Sequence, residues 1–196
     1  MADVRSTLVR AKDGSPAYYV RQKTDAFEVR SYEPYLVAEV TVPGPSESAS
    51  SAGFRLLAAY IFGKNRAAAK LAMTAPVTQR PAAEKLAMTA PVTQTKAAAG
   101  FVVQFVMPAG YTLATLPVPE DPRVTLREVP EHAMAVLRYS GRWTQENYDE
   151  HLAELRDALA QGGIVTEGEP LLARYDAPYV IPFLRRNEIW LRVVGP

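Results

Sequence analysis

Cysteine is absent from these 196 residues and histidine occurs twice. Thiolate catalysis, cysteine-based zinc sites and disulfides are therefore excluded together, and imidazole chemistry is confined to His132 and His151. Neither sign of charge is in excess: 22 Lys plus Arg face 21 Asp plus Glu. Without a basic surplus no field gathers nucleic acid or an anionic membrane surface, and neither partner is expected. Long apolar runs are missing as well, so no membrane span is expected. The N-terminal MADVRSTLVRAKDGSP carries Arg5, Arg10 and Lys12 without a signal-type apolar stretch, and the expectation is a cytoplasmic chain. Also absent are a Gly-rich phosphate loop, an HExxH pair, a G-x-S-x-G elbow and an EF-hand loop. Carboxylates do cluster at Glu146, Asp149, Glu150 and Glu154. A helix dipole and partners such as Arg156 account for them, so catalysis is not expected.

What is present reads as a mixed α+β chain, long enough to bury a core unaided. Residues 1–16 read as a tail and 17–196 as one domain. AYYVRQKTDAFEVRSYEPYLVAEVTV (17–42) is rich in Tyr, Val and Phe with breaks near Thr24 and Pro34, giving three short strands or two with a bulge. PGPSESASSAG (43–53) has loop and cap residues, and after it Phe54, Leu57, Ala58 and Ile61 recur at helical spacing until Gly63. FVVQFVMP (101–108) reads as a strand, and the Pro-rich LPVPEDP (116–122) as a connector. VTLREVPEHAMAVLRYSG (124–141) gives two strands around Pro130. A helix follows, with Thr144 as N-cap, an apolar stripe of Tyr148, Leu152, Leu155 and Leu159, and Gly162-Gly163 as its stop. Two strands near 171–176 and 187–194 close the chain.

The halves 17–115 and 123–196 resemble each other. FEVRSYEPYLVAEVTVPG and VTLREVPEHAMAVLRYSG align without gaps at an offset of 97, matching Arg30 with Arg127, Ala38 with Ala135 and Gly44 with Gly141. Each half runs strands, helix, strands, which implies two β-α-β-β units in one α+β domain with antiparallel sheets. A second repeat is literal: KLAMTAPVTQ stands at 70–79 and again at 85–94. Two copies at a 15-residue spacing are too few and too short for a solenoid. Pairing the copies as a hairpin would set Val77 opposite Met88 and Met73 opposite Val92 and unite their apolar faces, with Pro76 and Pro91 limiting the ladder.

Several spaced segments, GFRLLAAYIFGKN (53–65), LAMTAPV, FVMP before LPVPEDPRV, AVLRYSG (135–141) and YDAPYVIPFLRRNEIWL (175–191), together resemble the SOUL haem-binding protein family. The resemblance covers about residue 17 to the end. It implies a duplicated β-α-β-β fold, a distorted antiparallel barrel or paired sheets flanked by two main helices, and a shallow apolar groove for haem or a related tetrapyrrole. In that family basic side chains on the first helix and before the last strand are associated with the propionates, and this chain places Ser51, Ala59 and Ile181 there.

A porphyrin needs an apolar surface, cations near its rim and optionally an axial ligand. Groove candidates are Phe54, Leu57, Ala58, Ile61, Met73, Met88 and Tyr148; propionate candidates are Arg55 and Lys64, with Arg66 a further cation. His151, flanking the second apolar stripe, is the candidate axial ligand, and His132 reads as a solvated turn histidine. Arg185 and Arg186 read as braces of a strand entry. The leading expectation is a haem or tetrapyrrole carrier or buffer without catalysis. The alternative is an effector-type binding module for another planar apolar small molecule, with hydrolytic activity as an option.

Overall fold

The structure, a computed structural model, describes residues 8–10, 14–66 and 83–194. Strands β1 (Leu8–Val9), β2 (Tyr18–Lys23), β3 (Glu28–Tyr32) and β4 (Tyr35–Val42) lead into helix α1 (Ser46–Ile61). Strands β5 (Asn65–Arg66), β6 (Val92–Ala97), β7 (Gly100–Val106), β8 (Val118–Pro119), β9 (Thr125–Val129) and β10 (His132–Tyr139) precede helix α2 (Gln145–Gln161). Strand β11 (Thr166–Arg174), a 3-10 turn (Pro182–Leu184) and β12 (Asn187–Val193) complete the chain. Among the described residues no helix is long and apolar enough to cross a membrane.

Ten strands form one antiparallel sheet in the order β1-β2-β3-β10-β12-β11-β6-β7-β4-β9, and β5 pairs β8 separately. The ten-stranded sheet is open, with β1 and β9 at its edges, so among the described residues there is no closed barrel. Leu8 and Val9, inside the expected tail, pair with Tyr19 and Tyr18. The segments aligned at an offset of 97 fall on β3 and β4 in one half and on β9 and β10 in the other. Each leading strand pairs outside its own half, β3 with β10 and β9 with β4. The Pro-rich connector is no free linker. Leu116 is buried in the core, and the Pro117 carbonyl accepts the Tyr60 hydroxyl at 2.9 Å.

Both helices lie on the same face of the sheet, and the register shows why. Partners across a ladder point the same way. Val40, Val103, Gln94, Leu172, Ile189 and Leu137 form one continuous row of such partners. At one end Val40 and Val103 pack with Leu57, Tyr60 and Ile61 of α1. At the other, Ile189 and Leu137 pack with Leu152, Leu155 and Leu159 of α2. Gln94 and Leu172 are left in the middle, between the helices. The next row runs Ala38, Phe105, Val92, Arg174, Asn187 and Tyr139, placing Arg174 beside them.

Helix α1 begins at Ser46, within the stretch expected to be loop, because the serines extend the first turns and Gly53 continues them. Glycine at 53 has a packing cause: a Cβ there would lie 2.6 Å from Val103 Cγ2 and 2.7 Å from its Cβ. Gly53→Ala is expected to destabilise the fold by about 1 kcal/mol, overpacking of roughly 1–3 kcal/mol exceeding the helix-propensity gain of about 1. Chemical denaturation should show Val103→Ala relieving that clash in the double variant. At the other end Gly63, with φ +115°, ends the helix as its sequence position suggested. Helix α2 starts as expected, Thr144 Oγ1 accepting from the Asn147 amide at 3.3 Å.

The face away from the helices carries a polar knot. Glu188 is fully buried and accepts from Arg30 Nη1 at 3.0 Å, Arg186 Nη2 at 2.8 Å, the Tyr175 hydroxyl at 2.9 Å and Trp190 Nε1 at 2.8 Å. Burial by itself would raise its pKa, yet Arg30 and Arg186 hold it below the ordinary glutamate value. His132 belongs to this face and is buried, stacked on Tyr32 at 5.6 Å, where the sequence had suggested a solvated turn histidine. The Tyr32 and Tyr35 rings that enclose it come from strand partners no local pattern reveals. Its Nδ1 donates to the Pro130 carbonyl at 2.7 Å, and burial lowers its pKa.

Candidate functional site

Two helices on one sheet face leave a gap over the β6–β11 pair, and that gap is a cleft of about 780 Å³. Its floor includes Gln94, Leu172 and Arg174; the start of α1 and the approach to α2 supply the walls. Rings concentrate on the α2 side, where Tyr139, Trp143 and Tyr148 line the cleft, and Phe101 enters from β7. The volume falls within the roughly 300–1,000 Å³ of small-molecule sites, and the lining sets its rings among many polar and charged side chains, more polar than the usual apolar pocket.

Trp143 organises the α2 side. Its Nε1 donates to Asn187 Oδ1 at 2.7 Å, while the guanidinium carbons of Arg174 and Arg185 lie 4.8 and 4.5 Å from its ring centroid. Arg185 is fixed in turn, donating to the carbonyls of Val180 at 2.8 Å and Pro178 at 2.6 Å. It therefore braces the loop before β12, and Arg186 braces the β12 entry through Glu188.

Arg174 differs from every other cation around the cleft. Lys96 and Arg156 are exposed at the rim, as are Glu47, Glu146 and Glu169, whereas Arg174 is half-buried in the floor. Its Nη1 donates to Ser50 Oγ at 2.9 Å, but among the described residues no carboxylate lies within ion-pairing distance. Burial lowers its pKa, against the pull of Tyr139 and Glu47, and Arg185 adds to the lowering. Beside it Gln94 donates through Nε2 to the Ser46 carbonyl at 2.9 Å, and its Oε1 has no partner.

The residues selected from sequence fall in several places. Tyr148 lines the cleft. Leu57 and Ile61 are enclosed in the core at 0% and 1% exposure, and Ala58 packs partly against it, so the first two offer no surface to a ligand. Phe54 sits on the flank of α1, edge-on to Phe105 at 5.2 Å and 38% exposed; Met88 is 49% exposed. Arg55 and Lys64 are exposed and away from the cleft lining. His151 lies behind the lining, stacked on Tyr139 at 4.4 Å with Nδ1 donating to the Asn147 carbonyl at 2.7 Å. Met73 lies outside the described residues, as does the first KLAMTAPVTQ copy with the hairpin expected of it. In the second copy Val92, Thr93 and Gln94 open β6 and pair with β7 and β11.

Trp143, Arg174, Gln94, Phe101 and Tyr139 were not selected from sequence. A partial signal existed for Arg174: in LLARYD it alternates with Leu172 on a strand and so shares the face of that leucine.

Tests of fit to an iron porphyrin divide. The rings and the floor cation suit a flat acid-bearing plate. Among the described residues the lining holds no His, Met or Cys; its phenols Tyr139 and Tyr148, the remaining iron-ligand type there, are pushed up to about 12 by burial.

A family model described as SOUL heme-binding protein matches residues 14–192. Among solved structures the chain is similar to the C-terminal domain of EcmrR, with TM-score 0.60 and 11% identity over 86% of this chain and 96% of that one. It is also similar to a hydrolase from Listeria innocua, with TM-score 0.57 and 11% identity over 88% and 94%. A third similar structure is an uncharacterized conserved protein from Listeria innocua, with TM-score 0.56 and 10% identity over 84% and 91%. At these identities the likeness is one of fold. No curated protein matches the chain.

Proposed function

The chain belongs to the SOUL heme-binding protein family, and from that premise we propose that it binds haem or a related tetrapyrrole, without catalysis, in the cleft between α1 and α2. Its role on this reading is that of a carrier or buffer. The observation that carries the proposal is the convergence of Tyr139, Trp143, Tyr148 and Phe101 on a cleft of about 780 Å³ with Arg174 in its floor. On the same reading the fold is two β-α-β-β units, each supplying one wall, with the cleft at their junction.

Binding rests on ring stacking and the floor charge of Arg174 rather than on an axial bond. Haemin titration should give a saturable one-to-one change in the Soret band. Tyr148→Ala should weaken it about tenfold, since one aromatic contact contributes roughly 0.5–1.5 kcal/mol beyond the area it buries. His151→Ala should leave the Soret position unchanged. A broad band that never saturates would sink the proposal. The second reading, a module for another planar apolar ligand, draws support from the lack of His, Met and Cys in the lining among the described residues.

A further inference from the structure

We propose that the loop at 177–184, between β11 and β12, docks the protein on a neutral lipid bilayer by setting Tyr179, Ile181, Phe183 and Leu184 among the headgroups. None of the eight loop residues lines the cleft, so this contact does not depend on what the cleft holds.

The first ground is a concentration of apolar surface. Four of the eleven large apolar side chains exposed among the described residues fall in this loop: Tyr179 at 90% and Phe183 at 71% exposure, with Ile181 and Leu184 each more than half exposed. The loop sequence, APYVIPFL, includes no charged group. Exposed apolar residues scattered singly need no cause, whereas a cluster this dense marks a contact surface.

The backbone of the loop is the second ground. Peptide groups carried towards lipid are costly unless the protein itself satisfies them. Arg185 donates to the Val180 carbonyl at 2.8 Å and the Pro178 carbonyl at 2.6 Å. The Val180 amide donates to Ala177 at 3.0 Å, the Leu184 amide to Ile181 at 2.9 Å, and the amides of Arg185 and Gly141 to Pro182 at 3.1 and 2.9 Å. The carbonyls of Ala177, Pro178, Val180, Ile181 and Pro182 are thereby occupied, and Pro178 and Pro182 have no N–H to satisfy. Those bonds also hold the loop in one shape, so its side chains are presented without a further ordering cost.

Size and charge select lipid as the partner. Four side chains fall far short of the roughly 20–30 residues a side of a stable protein interface. A bilayer sets no such minimum, and tyrosine with bulky apolar residues is the composition that settles at headgroup level. Charge takes no part. The chain carries a net charge of +1, and exposed Arg142, next to the Gly141 contact, is followed by exposed Glu146, Asp149 and Glu150. Apolar insertion is therefore the source of binding, and neutral and anionic lipids should serve alike.

The test floats the full chain with vesicles of pure phosphatidylcholine and of phosphatidylcholine with about one-fifth phosphatidylglycerol. Partition into the two is expected to agree within about threefold and to persist in high salt. Ile181→Ser with Phe183→Ser should weaken it at least tenfold, as the loss of two apolar side chains of roughly 1.5–3 kcal/mol each allows. Both positions are exposed, and an unchanged denaturation midpoint confirms that the variant is folded. Tyr179→Trp should gain a blue-shifted emission on phosphatidylcholine vesicles that brominated phosphatidylcholine quenches. Absence of partition into phosphatidylcholine overturns the inference. So does partition that requires phosphatidylglycerol and is lost in salt, or that survives the double substitution. Dimers that form through Phe183 without lipid binding would assign the surface to a second copy and overturn it as well.

Discussion

Glu188→Ala is expected to destabilise the protein by about 3–5 kcal/mol, the usual cost of deleting one partner from a buried charge cluster. Glu188 is fully enclosed and carries bonds from Arg30, Arg186, Tyr175 and Trp190. Removing it leaves Arg30, itself buried, with Glu28, the Tyr32 hydroxyl and the Tyr18 ring as its partners among the described residues. Arg186 and the Tyr175 hydroxyl lose a bond to the same carboxylate. For a chain of this size each kcal/mol shifts the midpoint by roughly 2–4 °C, so a fall of roughly 10 °C is expected. Calorimetry and urea denaturation measure it. Replacing Arg30 and Glu188 together by apolar residues should cost less than Glu188→Ala alone, since no orphaned cation then remains. A Glu188→Ala protein within 1 kcal/mol of the parent would show that the cluster contributes little.

The same groups set the response to acid. Glu188 and Glu28 are both held below the ordinary glutamate value, against the opposing effect of burial, by Arg30 with Arg186 for the first and by Lys23 with Arg30 for the second. A carboxylate whose folded pKa is depressed gives stability that is present above its unfolded pKa and is lost as pH falls through the folded one. His132 acts in the same direction. Burial lowers its folded pKa, so the unfolded chain takes up the proton first and stability declines as pH drops below about 6.5. Denaturation midpoints should therefore fall from pH 7 towards pH 4. His132→Gln, which has no ionisation to lose, should flatten the upper part of that decline.

The sequence revealed much of the element order because its punctuation is local. Thr144, Gly162 and Gly163 bracket α2, and Pro130 separates β9 from β10. Alternation placed the strands, but it could not say which strand lies beside which. Pairing of β3 with β10 and of β9 with β4 is set by contacts nearly a hundred residues apart. That is why the cleft was not legible: Gln94, Arg174 and Trp143 come from three distant segments and meet only once β6 lies against β11. Helix periodicity identified Leu57 and Ile61 as an apolar stripe without saying that the sheet covers them completely. It also passed over Tyr148's neighbours, because Trp143 precedes α2 and belongs to no periodic pattern. His132 misled for the same reason, its burial being supplied by Tyr32 and Tyr35 across the sheet.

Trp143→Ala should weaken both the fold and the cleft, and the phenylalanine variant should separate the two effects. In the folded chain the indole N–H reaches Asn187 Oδ1, and Asn187 is fully buried with its Nδ2 already unpartnered. Trp143→Phe removes that donor and leaves the buried amide without a side-chain bond among the described residues, a cost of about 1–3 kcal/mol. It retains a ring face for Arg174 and Arg185, so porphyrin affinity should stay within about threefold of the parent. Trp143→Ala takes away the ring as well. Two cation–π contacts and one wall of the cleft disappear, Arg174 is freed from its fixed position, and haemin affinity should fall by more than about tenfold. The Soret titration and a denaturation curve on the same samples give both readings. Normal haemin binding by a folded Trp143→Ala protein would place the ligand elsewhere, and the exposed Phe54 on the flank of α1 would then be the residue to mutate next.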